Sequence, residues 1–162
     1  MSNFFEDLEP GLVLALGSHT FTREEIIDFA RRFDPQPFHL DEDAAKASLF
    51  GALCASGWHT SSIWLRHVID NRARQADLMR FRGERPAKYG PSPGFEKIRW
   101  LKPVFVGDTL SFTSRLKGKV DSRSRPHLGL LLWENEGMNQ KGELAFSVIS
   151  KVFVERRPTL GD

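Results

Sequence analysis

The sequence predicts an α+β domain in which an antiparallel sheet wraps around one long helix. Helical patterns are confined to the first half of the chain, and strand patterns fill residues 95–157. Residues 49 to about 71 carry apolar side chains on most sides, which is typical of a buried helix. Helices that are segregated from a run of consecutive strands indicate α+β architecture rather than alternating α/β architecture.

Length and composition fit one domain over residues 1–162, of which 40% are hydrophobic and 27% charged. The net charge of +2 is too small to indicate a nucleic-acid or membrane partner. No segment approaches the ~20 apolar residues of a membrane span, and the N-terminus lacks the pattern of a signal peptide. We therefore expect a cytoplasmic protein.

In the first third of the chain, the sequence predicts a short strand followed by two short helices. Thr22 and Glu25 have the spacing of a capping box, which starts the first helix. The Asp34–Pro35 pair should end that helix, because proline disfavours helical geometry in the residue before it. Asp41 is expected to cap the second helix, over residues 43–47.

Ser56 is the expected N-cap of the buried helix. Residues 71–94 are predicted to be a polar insertion that ends in a loop rich in proline and glycine. Strands are predicted over residues 95–106, from residue 110, and over residues 128–134, the last buried on both faces. A long final strand should place one set of apolar side chains on one face: Leu144, Phe146, Val148, Val152 and Val154.

Residues 34–39, with the sequence Asp-Pro-Gln-Pro-Phe-His, are the segment richest in chemical groups. The carboxylate of Asp34 and the imidazole of His39 lie five residues apart in a loop that two prolines stiffen. Two proton-exchanging groups in an ordered loop suit acid–base catalysis. An ordinary Asp-Pro turn beside a surface histidine has the same pattern, and it is the commoner outcome for a motif this short.

The start of the buried helix, at Ser56 and Gly57, is a second candidate site. Helix N-termini present unpaired N–H groups and a partial positive charge. Glycine lets a substrate oxygen approach the backbone closely, so the position could stabilise an oxyanion. Close packing between the helix and the sheet accounts for this glycine equally well.

The remaining candidates are a basic segment and a few cysteine and histidine residues of the kinds that bind metals. Residues 71–90 carry a net charge of +4, which fits a solvated face or a clamp for a phosphate-bearing ligand formed by Arg80, Arg82 and Arg85. The single cysteine, Cys54, excludes an intrachain disulfide and a cysteine-built zinc site. His59 and His67 are eight residues apart rather than four, and we expect no metal site.

Taken in order, these segments resemble the MaoC-like dehydratases, the hot-dog-fold family that includes (R)-specific enoyl-CoA hydratases. Residues 34–39 resemble the family's Asp-x-Asn-Pro-aliphatic-His pattern, Gly57 its helix-start glycine, and residues 100–110 its strand-turn-strand segment. The resemblance covers most of the chain. It implies a hot-dog fold, with an antiparallel sheet wrapped around one long central helix, and pairing of chains into a homodimer or higher homo-oligomer.

The resemblance also implies a hydro-lyase. Asp34 and His39 would hold a water that adds to an enoyl thioester, while the Gly57 N–H binds the thioester oxygen. An acyl-CoA-like molecule is then the substrate, and no cofactor is implied. Gln36 and Ser56 are expected, with Gly57, to bind the oxyanion or the substrate, and both differ from the usual family residues. Two alternatives stay open: a non-catalytic module that binds an acyl thioester, and a hot-dog thioesterase.

Overall fold

A computed structural model describes residues 3–158 of the chain. A single 3₁₀ turn over Phe5–Asp7 precedes the regular elements. In chain order these are β1 (Val13–Thr20), α1 (Arg23–Phe33), α2 (Pro37–Leu40), α3 (Glu42–Lys46), α4 (Gly57–Phe81), β2 (Phe95–Trp100), β3 (Thr109–Asp121), β4 (Leu128–Met138) and β5 (Leu144–Glu155).

The five strands form one antiparallel sheet in the order β1-β3-β4-β5-β2. Burial alternates along β4 and β5, because every second side chain packs on the inner face of the sheet. The long helix α4 lies against that face. The structure confirms the prediction of an antiparallel sheet around one long central helix.

The predicted signals at the helix ends are confirmed. Thr22 caps α1 by accepting a hydrogen bond from the Glu25 N–H at 3.3 Å, and α1 ends immediately before Asp34. Asp41 caps α3 by accepting from the Ala44 N–H at 2.8 Å. The sequence did not predict α2, a single turn that begins at Pro37, where the missing proline N–H costs nothing.

Helix α4 begins as predicted and ends later. Ser56 caps it by accepting from the Trp58 N–H at 3.2 Å. The helix continues to Phe81, so the first part of the polar segment 71–94 is helical and its loop begins at Arg82. Arginine, glutamine and alanine, which fill residues 72–76, are good helix formers. No helix among residues 3–158 has the length and apolar character needed to cross a membrane.

The expectation that α4 is buried on most sides is wrong for the single chain. Its buried face carries Thr60, Trp64 and Val68, which recur every four residues. Another face leaves three large apolar side chains open to solvent: Trp58, Leu65 and Ile69, which are 55%, 42% and 49% exposed. The helix is therefore amphipathic in an unusual way, with apolar residues on a buried and on an exposed stripe.

Two strand predictions also need correction. β2 ends at Trp100 rather than at residue 106, since the chain then turns through Pro103, and Phe105 pairs with Cys54 in an isolated bridge outside the five strands. β4 is longer than predicted and has one buried face rather than two. A half-exposed outer face explains this, because the helices cover only the inner side of the sheet.

Two buried clusters form the core. The larger joins α1, α4 and the sheet around Phe21, Ile26 and Phe112. The smaller lies where the N-terminal residues Phe4 and Phe5 cross the sheet. The larger cluster packs α1 against α4, and this arrangement positions the candidate site.

Candidate active site

Asp34 and His39 lie side by side in the structure. Asp34 follows the last residue of α1, and His39 lies on α2. The turn between them is closed by two backbone bonds, from the Gln36 N–H to the Asp34 carbonyl at 2.7 Å and from the His39 N–H to the Gln36 carbonyl at 2.9 Å. The Asp34 Oδ2 and the His39 Nε2 are 3.5 Å apart.

The His39 ring is held in one orientation and one tautomer. It is only 5% exposed, and its Nδ1 lies 2.7 Å from the Cys54 carbonyl oxygen. A carbonyl oxygen only accepts hydrogen bonds, so Nδ1 must carry the hydrogen. In the neutral ring, Nε2 is then a bare acceptor that faces the Asp34 carboxylate, which is also an acceptor. A water molecule, which has two hydrogens to donate, matches this pair.

Hydrogen bonds keep Asp34 ionised. Burial favours its neutral form, but hydrogen bonds from the Ser56 and Gln36 side chains and the nearby His39 outweigh burial, so the pKa of Asp34 lies below its usual value. The Gln36 Nε2 donates to Oδ1 at 2.7 Å. Because the Ser56 oxygen already accepts from the Trp58 N–H, its own hydrogen is available for Asp34.

A cavity of about 250 Å³ lies between His39, the start of α4 and the segment after β2. Gly57 lines it, and as the first residue of α4 its N–H has no carbonyl partner within the helix. A Cβ at this position would meet the Trp100 ring at 2.5 Å, so only glycine fits beneath that ring. His39 and Gly57 therefore line the same cavity, and Asp34, which is not one of its walls, lies 3.5 Å from His39.

The cavity has walls that sequence reasoning did not single out as site residues. They come from the loop before α4, from α4 itself and from the segment after β2: Phe50, Thr60, Trp100 and Lys102. Lys102 supplies a cation, paired with Glu143 at 3.4 Å and half exposed. The signal available in the sequence was the segment 100–110, which carried the family resemblance but had no chemical motif of its own.

Arg80, Arg82 and Arg85 lie at the other end of α4, and one chain does not bring them to the cavity. Gly57 and Arg80 are separated by about 35 Å of helix. Arg80 pairs with Asp77 at 2.8 Å, and Arg85 forms a bidentate salt bridge with Glu155. Phosphate contact by these arginines stays a prediction that the geometry of a single chain does not support.

A second buried polar cluster lies on the α1 side of α4. His19 Nε2 is 2.6 Å from the Glu25 carboxylate, and His59 Nε2 is 3.9 Å from it. Burial lowers the pKa of His59 to about 4, and its ring stacks on Phe29. None of these side chains lines the cavity, and their contacts join α1 to α4.

Neither metal nor thiol chemistry has a built site in the described part of the chain. Over residues 3–158, no three histidine, cysteine or acidic side chains converge in an arrangement that could hold a metal ion. Burial raises the pKa of the Cys54 thiol to about 11, so the reactive thiolate is scarce at neutral pH. What the site offers is an acid–base pair beside an unpaired backbone N–H.

The model of the MaoC like domain matches residues 12–130. The chain belongs to the MaoC-like family. It is similar to the MaoC-like dehydratase from Rhodospirillum rubrum, at 33% identity and a TM-score of 0.80, over 98% of this chain and 100% of that one. It also resembles an (R)-hydratase from A. caviae, at 21% identity and a TM-score of 0.62, over 94% and 99% of the two chains. These likenesses confirm the hot-dog fold.

A sequence relative of this MaoC-like chain is the mesaconyl-CoA hydratase from Cereibacter sphaeroides. The two are 39% identical over 66 residues, which is 41% of this chain and 19% of that protein. The MaoC-like chain thus matches about a fifth of the length of this relative.

The Asp34 environment predicts an unusual titration. Since folding lowers the pKa of Asp34, its charged form contributes stability above the unfolded pKa of about 3.9, and this contribution is lost as pH falls through the lower folded pKa. We expect a carbon-13 NMR titration of the Asp34 carboxyl to have a midpoint below about 3.9. Ser56→Ala should raise that midpoint.

The matched control is Ser62→Ala, which removes a hydroxyl that donates to the Trp58 carbonyl on the same helix. It should leave the Asp34 midpoint unchanged. A wild-type midpoint at or above the ordinary value, or one that Ser56→Ala does not move, would contradict the assigned hydrogen bonding.

Proposed function

We propose that the protein is a hydro-lyase that reversibly hydrates an enoyl thioester, with an acyl-CoA-like molecule as substrate. Membership of the MaoC-like family supports a hydratase or dehydratase in general. The observation that carries the proposal is the Asp34–His39 pair, in which two acceptors lie 3.5 Å apart and His39 lines the cavity. That geometry suits one bound water.

The proposed reaction follows from what each group can donate or accept. The water donates one hydrogen to Asp34 and one to His39 Nε2, which leaves an oxygen lone pair free to attack C3 of the enoyl group. As the new C–O bond forms, the pair takes one proton from the water and returns a proton to C2. Dehydration is the reverse, and no proton is gained or lost overall.

The charge that develops in this reaction needs a donor. When water adds at C3, the electrons of the double bond move toward the thioester carbonyl, whose oxygen becomes enolate-like. The Gly57 N–H, unpaired and at the positive end of a 25-residue helix, is the donor that we assign to it. Every step uses only the substrate, water and residues of this chain.

The size of the cavity favours a short acyl group. At about 250 Å³ it lies just below the usual range of about 300–1,000 Å³ for ligand pockets. A relative that is 39% identical over 66 residues is named a mesaconyl-CoA hydratase. Crotonyl-CoA and mesaconyl-CoA are therefore the first substrates to test, with longer enoyl-CoAs for comparison.

The catalytic assignment predicts loss of turnover in variants of either member of the pair. We expect Asp34→Asn and His39→Gln each to lower kcat by about 10²–10⁴-fold, measured as loss of the enoyl absorbance. Asp43→Asn is the control, because this carboxylate is exposed, pairs with Lys46 at 3.7 Å and lies outside the cavity. It should keep wild-type activity.

Two further measurements on the same enoyl-CoA panel separate the alternatives. Release of free CoA thiol would identify a thioesterase. Binding of the CoA ester without any turnover across the panel, by folded wild-type protein, would identify a non-catalytic module. Either result overturns the hydro-lyase proposal.

Gly57 offers an independent prediction. In Gly57→Ala the new Cβ forces the Trp100 ring aside and disturbs its hydrogen bond to the Ser61 hydroxyl, 3.2 Å long. We expect kcat/KM to fall about 10²-fold, because the helix start shifts relative to the substrate. Trp100→Ala in the same chain removes the clash and should restore much of the lost activity relative to Gly57→Ala alone. Full activity in Gly57→Ala would contradict the close fit.

We also propose that the active unit is a homodimer. β2 is an edge strand, with one side free to pair with another strand. Beside it lie the exposed apolar stripe of α4 and the half-exposed Phe95 and Trp100 of β2 itself. A second copy of the chain, placed edge to edge, would continue the sheet and cover both stripes.

This dimer can be tested by sedimentation. We expect wild-type protein to sediment at about twice 18.4 kDa, and the double variant Leu65→Glu/Ile69→Glu at the monomer mass. Leu78→Glu is the control, since Leu78 is equally exposed but lies on the opposite side of α4 from Ile69. A monomeric wild type, or a double variant that stays dimeric, would remove this interface.

A further inference from the structure

A second, larger cavity lies at the other end of α4. It measures about 360 Å³ and is enclosed by the C-terminal half of α4, the N-terminal segment, β1 and the inner face of the sheet. It shares no wall residue with the cavity at His39. Thr60 lines one cavity and Val68 the other, about 12 Å further along the helix, with buried Trp64 between them.

One wall carries a cation, Arg72, that has no counter-ion within residues 3–158. Arg72 is half-buried, and its guanidinium lies 4.6 Å from the centre of the Tyr89 ring. Burial lowers the pKa of Arg72, and among the described residues Tyr89 is the one ionisable group that acts on it electrostatically. Arginine stays charged in proteins, and a buried charge without a partner is costly. The open space beside Arg72 is where an anion could lie.

The floor of the cavity is a polar cluster across three strands. Asn135 on β4 is fully buried and donates to the Ser150 hydroxyl at 2.9 Å, while the Ser114 hydroxyl donates to the Asn135 side-chain oxygen. Ser150 thus accepts a bond, and within residues 3–158 its own hydrogen has no acceptor. Buried polar groups are normally satisfied, so a hydroxyl donor that faces a cavity indicates a ligand or water.

The acidic residues at the rim are already neutralised. Asp7 pairs with Arg157 and accepts from the Phe4 N–H, and Glu9 lies 3.6 Å from Lys119. The other walls are largely apolar and include Leu14, Leu16, Val68, Met79 and Trp133. The cavity therefore combines an apolar body, one cation and a hydroxyl donor.

We propose that this second cavity binds a small amphipathic carboxylate, whose anionic head meets Arg72 and Ser150 and whose apolar tail lies against β1 and α4. The guanidinium fork matches a carboxylate geometrically, and the single positive charge matches its single negative charge. Such a site is additional to the proposed active site and does not depend on its chemistry.

The probe is octanoate. The comparison ligand is 1-octanol, which has the same number of carbon atoms but no charge. We expect calorimetry to show one octanoate per chain, with Arg72→Met weakening the affinity about tenfold or more. Methionine keeps the apolar stem, and replacing a buried charge by an apolar side chain is often neutral for folding, which an unfolding curve checks. Ser150→Leu, which fills the floor, should abolish binding.

Two controls make the result specific. Arg74→Met, on the same helix but exposed and absent from the cavity walls, should leave octanoate affinity unchanged. Asp34→Asn, at the proposed active site, should also leave it unchanged. In NMR spectra, octanoate should shift the indole signal of Trp133, which lines the cavity, and leave that of Trp58 in place.

The proposal is overturned if octanoate does not bind, if Arg72→Met binds it as tightly as wild type, or if octanol binds as tightly as octanoate. It is also overturned if Asp34→Asn or His39→Gln abolishes octanoate binding, because the probe would then occupy the proposed active site. These outcomes concern only the second cavity. Turnover of enoyl-CoA by the same preparations reports separately on the proposed hydro-lyase.

Discussion

The Ser56 hydroxyl joins the long helix to the proposed catalytic carboxylate. Its oxygen accepts from the Trp58 N–H and so caps α4, and its hydrogen serves the Asp34 side chain. A hydroxyl can fill both roles because it donates and accepts at the same time. The position of the helix start, the ionisation of Asp34 and the placement of Gly57 are therefore linked through one buried atom.

The elements with strong local signals were predictable from the sequence. The caps at Thr22, Asp41 and Ser56 and the stop at Pro35 depend on neighbouring residues alone, and the structure confirms each of them. The end of α4 was missed because residues 71–81 are polar, and polarity suggested a loop although their helix propensity is good. Tertiary contacts, through buried Asn71 and Met79, hold that last part of the helix against the sheet.

The acid–base residues of the candidate site were predictable from the sequence, but most residues that line its cavity were not. The spacing of Asp34 and His39 indicated that they could meet, and the structure places them 3.5 Å apart. Phe50, Trp100 and Lys102 come from segments separated from the motif by many residues, so only the fold brings them to the cavity. The predicted phosphate contacts of Arg80, Arg82 and Arg85 are not supported for a different reason. The charge of these residues was visible in the sequence, but the 25-residue length of α4 places them at the end far from the cavity. A helix this long gives one domain two chemically different ends.

The bond between His39 and Cys54 has a consequence for how the sequence can change. The acceptor that holds Nδ1 is the main-chain carbonyl of Cys54, at 2.7 Å, and a backbone bridge to Phe105 fixes that segment. Every amino acid carries the same carbonyl. The carbonyl bond that sets the orientation and tautomer of the imidazole is thus available whatever side chain stands at position 54, although the Cys54 Sγ also lies 3.8 Å from Nδ1. Substitution at that position can alter packing. The backbone conformation still places a carbonyl oxygen beside Nδ1, and this carbonyl determines which ring nitrogen carries the hydrogen.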